Sequence, residues 1–315
     1  MIGKDHIVEA HERIRPYIHR TPVLTCSTID RMADAQLFFK CENFQKIGAF
    51  KIRGGMNAAL SLSADGRSRG LATHSSGNHA QAIAFAAREL GVPAYIVMPE
   101  TSPKPKVDAV RGYGAQITFC VPNQQAREET LAGIVERTGA AFVHPYDDDR
   151  VITGQATCAK ELMEDVSDLD VLVAPVGGGG LMSGTALSVH YFNPSAKAYA
   201  GEPEGAADAY ASFTSGKLQS APYIDTIADG LLTRLSDRTF AIIREHVTEI
   251  ITVSEDEIKS ALRLVFERMK IVVEPSCVVP LAAVLKRRDV FAGRRVGIIL
   301  TGGNIDLTKL GTWLT

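Results

Sequence analysis

Four short segments combine residue types that can do chemistry. Gly177-Gly178-Gly179-Gly180 follows the apolar run VLVAPV and precedes LMSGTALSVH. A strand, a glycine turn and a helix start form an anion site, because backbone N–H groups point outward and no side chain blocks a phosphate. No Lys follows the glycines, so the P-loop pattern is not met. The dinucleotide pattern needs a third glycine where Met182 or Ser183 stands. Glu202 nevertheless ends the next strand, where a ribose-binding acid belongs. A dinucleotide, a compact phosphate monoester and a plain tight turn all stay open at this point.

The second segment is Ala49-Phe50-Lys51-Ile52-Arg53-Gly54-Gly55, at a strand-to-helix junction. A lysine between Phe50 and Ile52 can be desolvated, and desolvation turns the ammonium into a neutral nucleophile or base. The ordinary alternative is a solvated surface lysine. Third is Thr73-His74-Ser75-Ser76-Gly77-Asn78-His79, rich in hydroxyl and amide groups at a helix start. It suits a carboxylate, or Ser76 is simply a helix cap. Its residue order is not that of a GxSxG nucleophile elbow. Fourth is Thr301-Gly302-Gly303-Asn304, after a buried strand, at the edge where open parallel sheets bind ligands. His11, His19, His190 and His246 read as surface or satisfied core residues, with no HExxH pattern.

These loops need a scaffold. Short β-branched runs alternate with amphipathic stretches, which predicts βα units and mainly parallel sheet. Strands are expected at Leu37–Cys41, Gly70–Thr73, Ala94–Met98, Gln116–Cys120, Ala141–His144, Val171–Val176, Lys197–Gly201, Glu249–Val253 and Arg295–Leu300. Such a number fits two sheets better than one. The expected fold class is α/β, with two open, twisted, mainly parallel sheets in a large and a small domain. Residues 1–69 and 148–315 make the large domain and 70–147 the small one, with a ligand cleft between them. Ser254 and Glu257 form a capping box, and Ile258, Leu262, Val265, Phe266 and Met269 recur as a core stripe.

Length and composition set outer limits. The 315 residues carry 34 basic and 36 acidic side chains, a formal charge of −2. That balance gives no electrostatic case for nucleic acid or an anionic membrane. Cys26, Cys41, Cys120, Cys158 and Cys277 are odd in number and contain no CxxC pair, so reduced packing thiols are expected. The N-terminal MIGKDHIVEAHERIRP has no apolar core and no run of about 18 apolar residues occurs. A soluble cytoplasmic enzyme is the expectation.

Taken together, AFKIRGG, HSSGNHA, VGGGGL and LTGGNID resemble, in this order, the fold-type II pyridoxal-phosphate enzymes (the tryptophan synthase β-like fold). The serine racemase and serine/threonine dehydratase group is nearest, and FVHPYDD and TGGNIDLTKL are similar to its hydroxyaspartate dehydratases. The resemblance implies that Lys51 would hold pyridoxal 5'-phosphate as a Schiff base and then take the α-proton. Gly177, Gly178, Gly179 and Gly180 would hold its phosphate, Phe50 pack on the ring, Asn78 meet the phenolic oxygen and Thr301 face the pyridine nitrogen. Ser75, Ser76, Gly77 and His79 would line the substrate carboxylate site. Ser76 also matches the second acid/base group of racemases. Arg127 matches an arginine near the substrate, which could clamp a second carboxylate or lie on a solvated helix face among Glu128, Glu129 and Glu136.

Glu202, Ala206 and Asp208 match a divalent-cation loop for Mg²⁺ or Ca²⁺, with Ala207 where a second Asp is common. The implied activity is an ammonia-lyase for serine, threonine or 3-hydroxyaspartate, with a racemase as the alternative. A homodimer without a C-terminal regulatory module is implied too. An NAD-dependent oxidoreductase would explain the glycine loop and Glu202 but not Lys51, and a non-catalytic amino-acid-binding module would have no use for AFKIRGG.

Overall fold

The computed structural model describes residues 2–102 and 104–314. Ten strands form two sheets among the described residues. They are β1 (Val23–Leu24), β2 (Gln36–Cys41), β3 (Leu71–His74), β4 (Ala94–Pro99), β5 (Gln116–Cys120), β6 (Ala141–Phe142), β7 (Val171–Pro175), β8 (Lys197–Pro203), β9 (Val247–Val253) and β10 (Arg295–Leu300). The larger sheet runs β1-β2-β10-β7-β8-β9 and the smaller β5-β4-β3-β6. Every pairing is parallel except β1 with β2. All of β7 and nearly all of β10 are buried, as strands covered by helices on both faces must be.

The sequence expectation of nine mainly parallel strands in two sheets holds, with differences that have local causes. β1 is too short to show a period. β3 starts at Leu71 because Gly70 has φ +105°, outside the strand region. β6 ends at Phe142 rather than His144. The Val143 carbonyl turns to the Thr73 hydroxyl, at 2.8 Å, and lies 3.1 Å from the His79 ring nitrogen Nε2.

The helix Lys51–Leu60 is fixed from two sides. It crosses the helix Asp149–Asp165 at glycines. A Cβ on Gly54 would lie 2.3 Å from Gln155, and one on Gly154 would lie 2.5 Å from the Arg53 carbonyl. Beneath them, fully buried Arg53 makes bidentate contacts with Glu42 (2.7 and 2.8 Å) and Glu161 (2.9 and 2.7 Å). Lys40, also fully buried, joins Glu161 at 3.0 Å. This network ties the helix that begins at Lys51 to β2 and to its neighbour helix. The Ser254 and Glu257 capping box is present. Ile258, Leu262 and Val265 are buried behind it, with Phe266 and Met269 partly so. All five cysteines are free, four of them buried.

Candidate active site

The C-terminal ends of β3, β6, β7 and β10 open on one cavity of about 400 Å³ between the two sheets. Phe50, Lys51, Ser75, Ser76, Gly77, Asn78, His79, Arg127, Gly177, Gly178, Gly179, Gly180 and Thr301 all line it. Four segments distant in sequence thus meet at one place. The geometry is what parallel strands with their loops at one edge must produce.

Lys51 is the first residue of its helix, so its side chain projects from the helix start into the cleft. Its Nζ donates to the Pro145 carbonyl at 2.9 Å and lies 5.3 Å from the Phe50 ring centroid. Burial pushes its pKa down to about 8. The surface-lysine alternative does not describe it, because the amine lies inside the cleft and pairs with no acidic side chain among the described residues. The backbone before it is strained: Ile47, β-branched, sits at φ +61°. The Asn304 side-chain amide holds it there, donating to the Ile47 carbonyl at 2.8 Å.

The glycine run turns β7 into the helix Gly180–Phe192, with Gly179 at φ +86°. A Cβ on Gly178 would lie 2.3 Å from the Tyr146 ring, and one on Gly177 would lie 2.9 Å from Leu231 Cα. Packing therefore demands these glycines as strictly as any ligand would. Among the described residues, no protein acceptor meets the N–H groups of Gly178 and Gly179. Unpaired donors at a helix start are an anion site.

Across the cleft, the helix Asn78–Leu90 is capped by Gly77, not Ser76, and Ser75 Oγ accepts from the Gly77 N–H at 3.2 Å. Ser76 therefore has no capping duty. The Asn78 amide is oriented at both ends: Nδ2 donates to Glu274 at 2.8 Å, and Oδ1 accepts from Asn304 at 2.8 Å. His79 Nδ1 is buried without a partner among the described residues, and burial holds its ring well below the ordinary histidine pKa. Arg127 Nε is likewise buried and unpartnered. The residue as a whole is half-buried, at the wall of the cleft, while its neighbours Glu128 and Glu129 are exposed and accept from Gln124 and Gln125.

Residues that sequence reasoning missed complete the cleft. Glu274, almost fully buried, is pushed up to about 8 by burial and then by the nearby Asp229 charge. In sequence, Glu274-Pro275 reads only as a helix start. Lys106 and Asp229, 123 positions apart, form an ion pair at the mouth, a contact no local pattern signals.

Glu202, Ala206 and Asp208 stand apart from this cleft, at the end of β8 and the turn that follows it. Glu202 is fully buried and accepts the N–H groups of Ala209 and Tyr210 at 2.8 Å each, capping the helix Asp208–Ser215. It cannot reach a ribose, which removes the dinucleotide reading. Burial pushes Glu202 up to about 8 and Asp208 up to about 6. No basic side chain forms an ion pair with either among the described residues, so a bound cation would relieve both.

A desolvated primary amine and an anion-binding glycine turn in one cleft define an α/β enzyme that works with a phosphate-bearing electrophile. A family model described as "Pyridoxal-phosphate dependent enzyme" matches residues 14–302, and the chain belongs to that family. It is 51% identical to the β-hydroxyaspartate dehydratase of Paracoccus denitrificans over 97% of this chain and 97% of that protein. It is 46% identical to the L-threo-3-hydroxyaspartate ammonia-lyase of Saccharomyces cerevisiae, covering 98% and 95%. The crystal structure of serine racemase from Dictyostelium discoideum matches with a TM-score of 0.93 at 48% identity, covering 97% and 99%. The fold is that of these fold-type II enzymes. The cleft supplies what this cofactor needs: a poised amine, free N–H donors at a helix start, an oriented amide and the Thr301 hydroxyl.

Proposed function

We propose that the protein is a pyridoxal-phosphate-dependent ammonia-lyase for small β-hydroxy amino acids, converting serine, threonine or 3-hydroxyaspartate to a 2-oxo acid and ammonia. The observation that carries this is the desolvated Lys51 amine facing Gly177–Gly180 across one cleft. Bound pyridoxal phosphate supplies the electron sink that makes the amino-acid α-proton removable. Lys51 would hold the cofactor, and its free Nζ would take the α-proton, for which a pKa lowered to about 8 suits it. The amides of Gly177, Gly178, Gly179 and Gly180 hold the phosphate, and Phe50 packs on the ring. Asn78 donates its second N–H to the phenolic oxygen, since Glu274 takes the first. The Thr301 hydroxyl faces the pyridine nitrogen without protonating it.

Ser75, Ser76, Gly77 and His79 receive the α-carboxylate through N–H and hydroxyl donors. Arg127 is offered to a second carboxylate, which favours 3-hydroxyaspartate within the substrate class. Ammonia release from L- and D-serine, L-threonine and the four 3-hydroxyaspartate isomers tests this. Turnover of 3-hydroxyaspartate that falls further than that of serine in Arg127→Ala supports the clamp, and equal loss refutes it. Racemisation is the second reading, favoured by Ser76 lying in the cleft with no cap to make. Ser76→Ala abolishes any such racemisation on this reading.

The same proposal extends to three coarser features. Glu202, Asp208 and the Ala206 carbonyl bind Mg²⁺ or Ca²⁺, which answers the two buried acids left without a basic partner. Residues 70–147 form the smaller domain, inserted in the larger one built from 1–69 and 148–315. The enzyme works as a homodimer, a reading that rests on family resemblance, and in the cytoplasm, a reading that rests on its unpaired cysteines and charged N-terminal segment; no helix among the described residues is long and apolar enough to cross a membrane.

A further inference from the structure

His144 follows β6 and has no part in the roles given above. Its Nδ1 accepts two successive backbone N–H groups, Tyr146 at 3.2 Å and Asp147 at 2.8 Å. An imidazole accepting at Nδ1 is neutral and carries its proton on Nε2. Burial, and next the neighbouring His74, push its pKa down to about 4, so the neutral form prevails at physiological pH. The ring packs edge-on against Tyr146, with centroids 4.7 Å apart.

The turn clamped by this one nitrogen touches both halves of the site. The Pro145 carbonyl accepts the Lys51 amine at 2.9 Å. Tyr146 fills the space that side chains at Gly178 and Gly180 would need. Asp147 accepts the Ser236 hydroxyl at 3.0 Å and pairs with Arg238 at 3.2 Å. Ser236 caps the helix Asp237–His246, whose Thr239 and Ile243 pack against Gly179. A neutral amine has two N–H bonds and one lone pair. Committing one N–H to Pro145 restricts where the lone pair points, and proton transfer depends steeply on that direction.

We propose that His144 is a positioning residue for Lys51: its Nδ1 holds the 145–147 turn so that the Pro145 carbonyl orients the amine between proton transfers. The inference rests on Lys51 as the cofactor-bearing base. The test compares His144→Asn, whose Oδ1 takes the place of Nδ1, with His144→Phe, which keeps the ring and its packing but has no acceptor. The Asn variant should keep kcat within about 3-fold, and the Phe variant should lose about 10- to 100-fold in kcat with KM nearly unchanged.

Cofactor-free protein gives a second readout. The acylation rate of Lys51, followed by peptide mass spectrometry, should change in the Phe variant and not in the Asn variant. Full activity in Phe with loss in Asn would assign His144 to packing and overturn the proposal, as would wild-type behaviour of both. If melting curves show that Phe fails to fold, Asn decides alone: near wild-type kcat supports the proposal and a loss beyond 10-fold overturns it. Wild-type protein is first reduced with borohydride and mapped. A label absent from Lys51 removes the underlying reading, whereas a label on Lys51 with full kcat in Phe removes the positioning role alone.

Discussion

Replacing Lys51 by Met should make the cofactor-free protein more stable. Burial holds the Lys51 pKa at about 8 against its ordinary 10.5. At 1.36 kcal/mol per tenfold, that drop corresponds to about 3 kcal/mol of penalty on the folded, protonated form. The unfolded chain keeps its proton up to pH 10.5, while the folded chain keeps it only up to about 8. The unfolded state therefore binds more protons across this window, and native stability rises with pH there. Below about pH 8 the full penalty is present. Met removes the charge and also the hydrogen bond to the Pro145 carbonyl, at a cost of about 1 kcal/mol. The net gain at pH 7 is about 2 kcal/mol, or about 4 °C in melting temperature for a chain of this size. Calorimetry of cofactor-free wild type and Lys51→Met at pH 7 and pH 10.5 measures it. The gain should shrink to nothing at the higher pH. A variant that melts at or below wild type at pH 7, or an equal difference at both pH values, would refute the reasoning.

Other perturbations follow from the same contacts. Arg53→Met leaves Glu42 buried without a basic partner among the described residues and Glu161 with only Lys40 and His11, and should cost about 3–5 kcal/mol in urea unfolding; a loss under about 1 kcal/mol would contradict the network. Gly178→Ala drives a Cβ into the Tyr146 ring, a strain of about 1–3 kcal/mol, so cofactor affinity measured by fluorescence should fall roughly 5- to 150-fold. Unchanged affinity would show that the turn can yield. Mg²⁺ or Ca²⁺ should raise the melting temperature of wild type, and Asp208→Asn should blunt the response; the same response in both would place the cation elsewhere.

Parallel strands and their loops were legible because each carries a local signal: β-branched runs, glycine turns and helix starts. Those signals placed Asn78, Gly177–Gly180 and Thr301 after strands, and the structure brings them into one cavity with Lys51; the strand expected just before Lys51 is absent, since β2 ends at Cys41 and two short helical turns lead from it to the Lys51 helix. Contacts between distant residues were not legible. Arg53 looks like an ordinary helix cation until Glu42 and Glu161 are folded around it. The glycines of GGGG were read as room for a phosphate, yet Tyr146 and Leu231 occupy the space their side chains would fill. Ser76 looked like a helix cap because Ser is a common one, but the chain places Gly77 there. Glu202 looked like a ribose acid by position alone, and its complete burial as a helix cap excludes that. Local chemistry is written in spacing, whereas burial and pairing belong to topology.

The central claim is that Lys51 carries the cofactor. Borohydride reduction of the protein as isolated, followed by proteolysis and mass spectrometry, tests it most directly. The account predicts a pyridoxyl group on Lys51, with no label on any other lysine. A label on another lysine, or an unlabelled Lys51 in protein that still releases ammonia from these amino acids, would contradict it.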